Sequence, residues 1–312
     1  MHAKSAASHI VVGIDGSDTA LAAAKWATRF ADKLALPLHL VHSSPAPGPM
    51  PDIALDPAEL AERHRRFRAE LLATTESALR DWAPGVELTS VAETEAPATA
   101  LLRAAEDAAL LVLGATGAGM VERWLLGSTA LRVVGSARCP VAVWRGDTAH
   151  IAPDDDRPIV VGVDGSPLSA GATRLAFEWA RLFSVPVTAV RAWSDSTAVG
   201  DAVPTAMQLL GPTAMVIDWE RIARSEAQTL STVIAPYRND FPDVEVEERS
   251  RRGSAARELL RALDDAQLAI VGSKGWGRFR GALMGSTGQN LLHRADRPVV
   301  VYRDTDTRDT DT

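Results

Sequence analysis

Four short segments of this chain combine a carboxylate, glycines and hydroxyls in a pattern suited to holding a phosphate. Asp15-Gly16-Ser17 follows one apolar run, and Asp164-Gly165-Ser166 follows another. Further along, Gly114 and Gly117 are followed nine residues later by Gly127-Ser128-Thr129, and Gly272 and Gly275 by Gly285-Ser286-Thr287. Glycine lets a backbone approach a phosphate closely and take positive φ, so that successive N–H groups converge on one anion. Gly127-Ser128-Thr129 reads as the start of a helix, whose unpaired amides and positive dipole end attract anions. The hydroxyls add donors without charge. A carboxylate at Asp15 or Asp164 can accept ribose hydroxyls or hold a divalent ion beside the phosphates. Taken singly, each glycine pair reads as a turn and Ser128 as a helix cap. Both segments at the same internal spacing, twice in one chain, point instead to a ligand site.

The elements that must position these residues repeat as well. Residues 10–17 read IVVGIDGS and residues 159–166 read IVVGVDGS, an offset of 149 that also relates Pro37 to Pro186 and Val41 to Val190. From Gly114 and Gly272 onward the offset is 158, a net insertion of nine residues in the second copy. Each copy alternates strand and helix. In the first, Ile10–Ile14, Leu38–Val41, Val86–Val91, Leu110–Leu113 and Val141–Trp144 read as strands. In the second, Val160–Val163, Val187–Val190, Val244–Glu248, Leu268–Val271 and Val299–Tyr302 do so. The short, β-branched, fully apolar runs suit parallel strands covered on both faces. Helical spacing marks Thr19–Leu34. Asp56-Pro57-Ala58-Glu59 looks like an N-cap, a first-turn proline and a capping-box glutamate for a helix ending near Trp82. Pro97–Asp107 is a third helix, and Ser128 opens a fourth. The expected fold is α/β: two tandem doubly wound domains, each a parallel sheet with helices on both faces.

The expected boundaries are a first domain over 1–146, a linker over 147–157, a second domain over 158–303 and a disordered tail over 304–312. Asp154, Asp155 and Asp156 read as part of a solvated linker rather than a metal site. The 312 residues allow two ordinary cores, and 46% hydrophobic with 23% charged residues is a globular composition. A net charge of −7 and arginines spread along the chain argue against nucleic acid as a partner. No apolar stretch is long enough for a bilayer and the start lacks a signal-peptide pattern, so no membrane partner and a cytoplasmic location are expected. The single cysteine, Cys139, sits in an apolar run and reads as a small buried hydrophobe.

With VVGIDGS, VVGVDGS and Gly-x2-Gly-x9-Gly-Ser in both copies, the chain resembles the universal stress protein family in its ATP-binding, tandem form. The resemblance covers both halves. It implies sheets in the order 3-2-1-4-5, with ATP or a related adenine nucleotide, accompanied by Mg2+, across the tips of strands one and four. It gives Asp15 and Asp164 the nucleotide-contacting carboxylate. Val41 and Val190 take the position whose backbone meets adenine. Gly114, Gly117, Gly127, Ser128 and Thr129, with Gly272, Gly275, Gly285, Ser286 and Thr287, take the phosphates. It also implies pairing of the fifth strands, Val141–Trp144 antiparallel to Val299–Tyr302, within the chain; a regulatory protein partner and a homodimer are compatible with it.

Departures from the family pattern are informative. Glu95 stands where the second copy has Gly253, so its carboxylate either weakens phosphate binding or points outward. Lys274 replaces Thr116 between the glycines, which favours tighter binding at the second site. Other motifs fail. There is no Gly-Lys dipeptide for a Walker loop, and neither Gly117-Ala-Gly119 nor Gly275-Trp-Gly277 completes a dinucleotide fingerprint. His39 and His42, three apart on a strand, face opposite sides and suit separate structural roles. Trp82, Trp124, Trp193 and Trp276 read most simply as packing residues, although Trp124 and Trp276 fall inside the nine-residue loops and could flank a nucleotide. The leading expectation is an ATP-binding stress-response regulator without a catalytic residue. A slow ATPase or nucleotide-transferring enzyme is the alternative, and a scaffold with vestigial sites the third.

Overall fold

The computed structural model describes residues 8–45, 56–116, 126–145, 155–194, 218–275 and 284–303. Gly117, Trp124, Trp276, the Pro-rich stretch 46–55, linker residues 147–154 and the tail 304–312 lie outside the described residues. The chain divides into two compact units, residues 1–154 with 292–312, and residues 155–291.

In the first unit the strands are β1 (His9–Gly13), β2 (Leu38–Ser43), β3 (Leu88–Glu93), β4 (Ala108–Gly114) and β5 (Val141–Trp144). They lie in the order β3-β2-β1-β4-β5, all parallel. The order arises from burial. The middle of β1 is fully buried between β2 and β4, whereas β3 alternates exposed and half-buried residues as an edge strand does. α1 (Asp18–Leu34) opens on Ser17, whose side chain accepts from the Ala20 N–H, and closes on Ala35 in the left-handed region, φ 51°. α2 (Pro57–Trp82) opens on Asp56, which accepts from the Ala58 N–H. Glu59 pairs with Arg63. α3 (Pro97–Ala104) and α4 (Ser128–Ser136) pack on each other, and α1 packs on α2, which covers both sheet faces. The Trp26 ring lies 4.7 Å from Phe30 and 6.0 Å from Trp144, tilted against both, and fills the α1 side of the core.

The second unit repeats the plan with β6 (Ile159–Gly162), β7 (Val187–Trp193), β8 (Val246–Arg252) and β9 (Leu268–Gly272), ordered β8-β7-β6-β9 and parallel. Its helices are α5 (Pro167–Phe183), α6 (Trp219–Asp240), α7 (Ala255–Leu263) and the start of α8 (Ser286–Arg294). Phe177 lies 5.5 Å from Tyr237 and 5.7 Å from Phe241, and the Tyr237 hydroxyl donates to Ala170 O at 2.9 Å.

The last strand, β10 (Val299–Tyr302), belongs to the first unit, antiparallel to β5 with Val299 opposite Val143 and Val301 opposite Val141. The fifth-strand pairing implied by the family resemblance is therefore present. Two arginines at equivalent repeat positions fasten it. Arg145, just after β5, donates from Nε to Leu292 O in the last turn of α8 at 3.1 Å. Arg303, just after β10, donates from Nη1 to Val134 O in the last turn of α4 at 2.8 Å. A cation at a helix C-terminus also meets the negative end of its dipole. Burial shifts both guanidinium pKa values downward.

Several sequence expectations need correction. β3 and β8 start two residues later than Val86 and Val244 suggest. Those valines sit in turns, with N–H groups donating to Ala83 O at 3.2 Å and Phe241 O at 3.1 Å, and they plug the core without joining the sheet. α3 stops at Ala104, short of Asp107. Asp155 is no solvated linker residue. It is buried and grips Arg157 through both carboxylate oxygens, while the Gln267 amide donates to Asp155 O and Arg157 O. Trp82 is partly exposed beneath Lys25, whose Nζ lies 5.0 Å from the ring centroid, rather than packed in the core; Trp193 is buried. Cys139 is buried, and desolvation pushes its thiol up to about 12. His42 is buried with Nδ1 2.7 Å from Ile14 O, and His39 lies 2.8 Å from the Thr89 hydroxyl, two separate roles. No described helix is long and apolar enough to cross a membrane.

Candidate nucleotide site

In an open parallel sheet the crevice for a ligand opens beyond the carboxyl ends of the strands where their order reverses. Here that is between β1 and β4, and between β6 and β9. A cleft of about 290 Å³ lies there in the first unit, and Asp15, Val41, Gly114, Gly127, Ser128 and Thr129 all line it. A cleft of about 510 Å³ lies at the equivalent place in the second unit. Asp164, Val190, Gly272, Gly275, Gly285, Ser286 and Thr287 line that one. Every described candidate residue is thus brought to one of two clefts.

The carboxylates are held by the turns that follow their strands. Gly16 and Gly165 take φ of 87° and 84°, the left-handed conformation a side chain disfavours. That turn lets the Ser17 N–H donate to Asp15 Oδ1 at 3.0 Å and the Ser166 N–H to Asp164 Oδ1 at 2.8 Å. In the first unit the network continues. The Ser17 hydroxyl donates to Asp15 at 2.6 Å and lies 3.0 Å from the Thr19 hydroxyl, which donates to Thr116 O at 2.7 Å. The second unit has Leu168 at the position of Thr19. Its serine network turns inward instead, with the Asp164 N–H donating to the Ser169 hydroxyl and that hydroxyl to Gly162 O.

The glycines play other roles than convergent amides at positive φ. None of Gly114, Gly127, Gly272, Gly275 or Gly285 has positive φ. A Cβ on Gly114 would lie 3.1 Å from the Ala20 N and Thr19 C atoms. One on Gly272 would lie 3.0 Å from Leu168 C. The first glycine of each pair therefore lets the first helix of its domain close on the strand end. A Cβ on Gly275 would overlap Asp164 Oδ2. The N–H groups of Gly127 and Gly285 are engaged too, donating to Ala115 O at 2.9 Å and Ser273 O at 2.8 Å and so closing the loop onto its strand.

What remains for an anion is the helix start. Gly127 has no side chain to cap α4, which has no side-chain cap hydrogen bond, and the first amides of a helix lack intrahelical acceptors. The Ser128 and Thr129 hydroxyls lie on that same turn and line the cleft. α8 starts alike, with the Gln289 N–H donating to Gly285 O at 3.1 Å. The far wall of each cleft comes from a helix whose contribution sequence reasoning missed: Pro97 and Leu101 of α3, and Ala255 and Leu259 of α7. The repeat offset of 158 and the i, i+4 spacing are the signals that would have found them.

The two clefts differ in charge. Asp15 is the only charged residue in the described lining of the first, whereas Lys274 joins Asp164 in the second. Glu95 is not among the described lining residues of the first cleft, and its carboxylate pairs with Arg103 at 2.6 Å, with Glu93 on the same arginine at 2.9 Å. Among the described residues no three His, Cys, Asp or Glu side chains group to hold a metal ion. A divalent ion here would rest on one carboxylate and the phosphates themselves, which is how Mg2+ commonly binds.

The sequence profile described as the universal stress protein family matches residues 7–145 and again 157–303. Universal stress protein Rv2623 of Mycobacterium tuberculosis is 32% identical over 300 residues, 95% of this chain and 96% of that protein. A universal stress protein of Mycolicibacterium smegmatis is 34% identical over 306 residues, 94% and 96% of the two chains. The crystal structure of a universal stress protein from Archaeoglobus fulgidus shares the fold, with a TM-score of 0.66 at 15% identity over 95% of this chain and 98% of that one. With its profile matched twice and relatives above 30% identity along nearly the whole length, this chain belongs to the universal stress protein family.

Proposed function

We propose that the chain is a stress-response regulatory protein that binds an adenine nucleotide in each cleft and that occupancy of the two sites controls conformation or partner binding. The observation that carries this reading is the meeting of a helix start, its two hydroxyls and a turn-held carboxylate around one crevice, made twice. The helix start and hydroxyls of Ser128-Thr129 and Ser286-Thr287 take the phosphates. Asp15 and Asp164 take the ribose or a phosphate-bound Mg2+. The base lies toward Val41 and Val190 against the apolar wall of α3 or α7. A ligand at about 100 times its dissociation constant would stabilise its bound form by about 2.7 kcal/mol, enough to shift a conformational equilibrium. The described linings offer no histidine or arginine, and each carboxylate is already held by a serine amide. Any hydrolysis is accordingly slow. Denaturing the purified protein and weighing the released small molecules should yield an adenine nucleotide. A preparation that releases none and gives a flat calorimetric titration with ATP and Mg2+ overturns the proposal.

A further inference from the structure

The two clefts are built from one plan yet differ where the phosphate tail would end, and we infer that they select different phosphate charge: the first a mono- or diphosphate, the second a triphosphate. This rests on the nucleotide-binding reading above and goes further, because it makes the chain a reader of two nucleotide states at once.

Both clefts offer a helix N-terminus with two hydroxyls and a carboxylate, so each has the same modest attraction for a first phosphate group. Among the described lining residues only the second adds a full cation. Lys274 is exposed, stands between Gly272 and Gly275 and lines the cleft; its counterpart in the first copy is Thr116. In the first cleft the described lining holds Asp15 and no cation, so beyond the helix start and its hydroxyls an added negative charge meets only the Asp15 carboxylate among the described charged side chains. The volumes run the same way, about 290 Å³ against about 510 Å³. The smaller cleft is also pinned, since the Thr19 hydroxyl ties Thr116 O back to the start of α1 at 2.7 Å. Leu168, at the equivalent place in the second copy, has no hydroxyl to make that bond.

The test is calorimetric titration of the full chain with ATP and separately with AMP, on the wild type, Lys274→Thr and Thr116→Lys. The wild type should show two classes of site. One should prefer ATP by about tenfold or more, the scale of one added charge-assisted contact, and the other should prefer AMP. Lys274→Thr should abolish the preference of the first class, and Thr116→Lys should confer one on the second class. Both positions are at the surface or half-buried, and thermal melts of each variant should match the wild type. Equal ATP-to-AMP ratios at both wild-type sites, or a ratio unmoved by Lys274→Thr, overturn the inference while leaving nucleotide binding intact. Absence of binding by either nucleotide overturns the underlying reading as well.

Discussion

Gly275 and Asp164 meet back to back at the mouth of the second cleft, so closely that a Cβ on the glycine would overlap Oδ2 of the carboxylate. The other oxygen, Oδ1, is held by the Ser166 N–H at 2.8 Å, so the side chain cannot swing clear without losing that bond. Gly275→Ala should therefore displace Asp164 and weaken nucleotide binding in the second cleft by about tenfold, the scale of one lost charge-assisted bond. The first cleft should be untouched. Calorimetry on the full chain should show one class of site weakened and the other unchanged; two weakened classes would contradict the structure.

Gly114 and Gly272 face the backbone of a helix start, with the Thr19 hydroxyl 3.2 Å from a Cβ on the first and Leu168 Cβ 3.1 Å from one on the second. The neighbours of an added Cβ are Ala20 N and Thr19 C in one unit and Leu168 C in the other, at 3.0–3.1 Å. Backbone inside a helix start cannot rotate away, so Gly114→Ala and Gly272→Ala should each cost about 1–3 kcal/mol, the usual range for overpacking. Urea denaturation measures this directly. A loss of nucleotide affinity with unchanged stability would instead make these glycines ligand contacts alone.

Phe177 is fully buried against Tyr237 and Phe241 at the α5–α6 contact. Phe177→Ala should destabilise the second unit by about 3–5 kcal/mol through lost burial and the cavity left behind. Hydrogen exchange followed by peptide mass should locate the loss of protection in α5 and α6.

Alkaline pH should unfold the protein through its buried acids. The Cys139 thiol goes from 9.0 in the open chain to about 12 when folded, because desolvation disfavours the thiolate. A raised folded pKa contributes stability that is complete below about pH 9 and is lost as pH rises toward 12. Burial also raises the Tyr237 phenol and acts with the same sign. Denaturant midpoints should fall between pH 9 and pH 11, and less steeply in Cys139→Ala. At neutral pH a thiol reagent should label Cys139 only at the rate of unfolding.

How much of this was legible beforehand depended on burial. The runs Ile10–Ile14, Leu110–Leu113, Val160–Val163 and Leu268–Val271 are apolar throughout because both faces are covered, and strands form there, with β1, β6 and β9 within one residue of those bounds and β4 starting two residues earlier. Edge strands β3 and β8 carry polar residues, and the buried turn residues Val86 and Val244 imitate their first members, which shifted both starts. The meeting of Asp15 with Gly127 and Ser128 was legible because two copies share the spacing. The reason for each glycine was not. Whether a missing Cβ serves a ligand, as positive φ would suggest, or a neighbouring helix, as at Gly114, depends on contacts between residues far apart in the chain. The burial of Asp155 was hidden for the same reason, since its carbonyl accepts from Gln267, 112 residues later.

The strand pair β5–β10 and its two arginine bonds, Arg145 to Leu292 O and Arg303 to Val134 O, bear on why such a chain is fused at all. A homodimer joined through the same strands would own two identical clefts, and any change to one would alter both. Fusion frees each copy to drift alone, so that Lys274 can arise without Thr116 changing, while covalent linkage keeps one of each in every molecule. Cutting the chain between the copies for separate expression would strip β5 of its antiparallel neighbour and leave an open sheet edge, a template for aggregation.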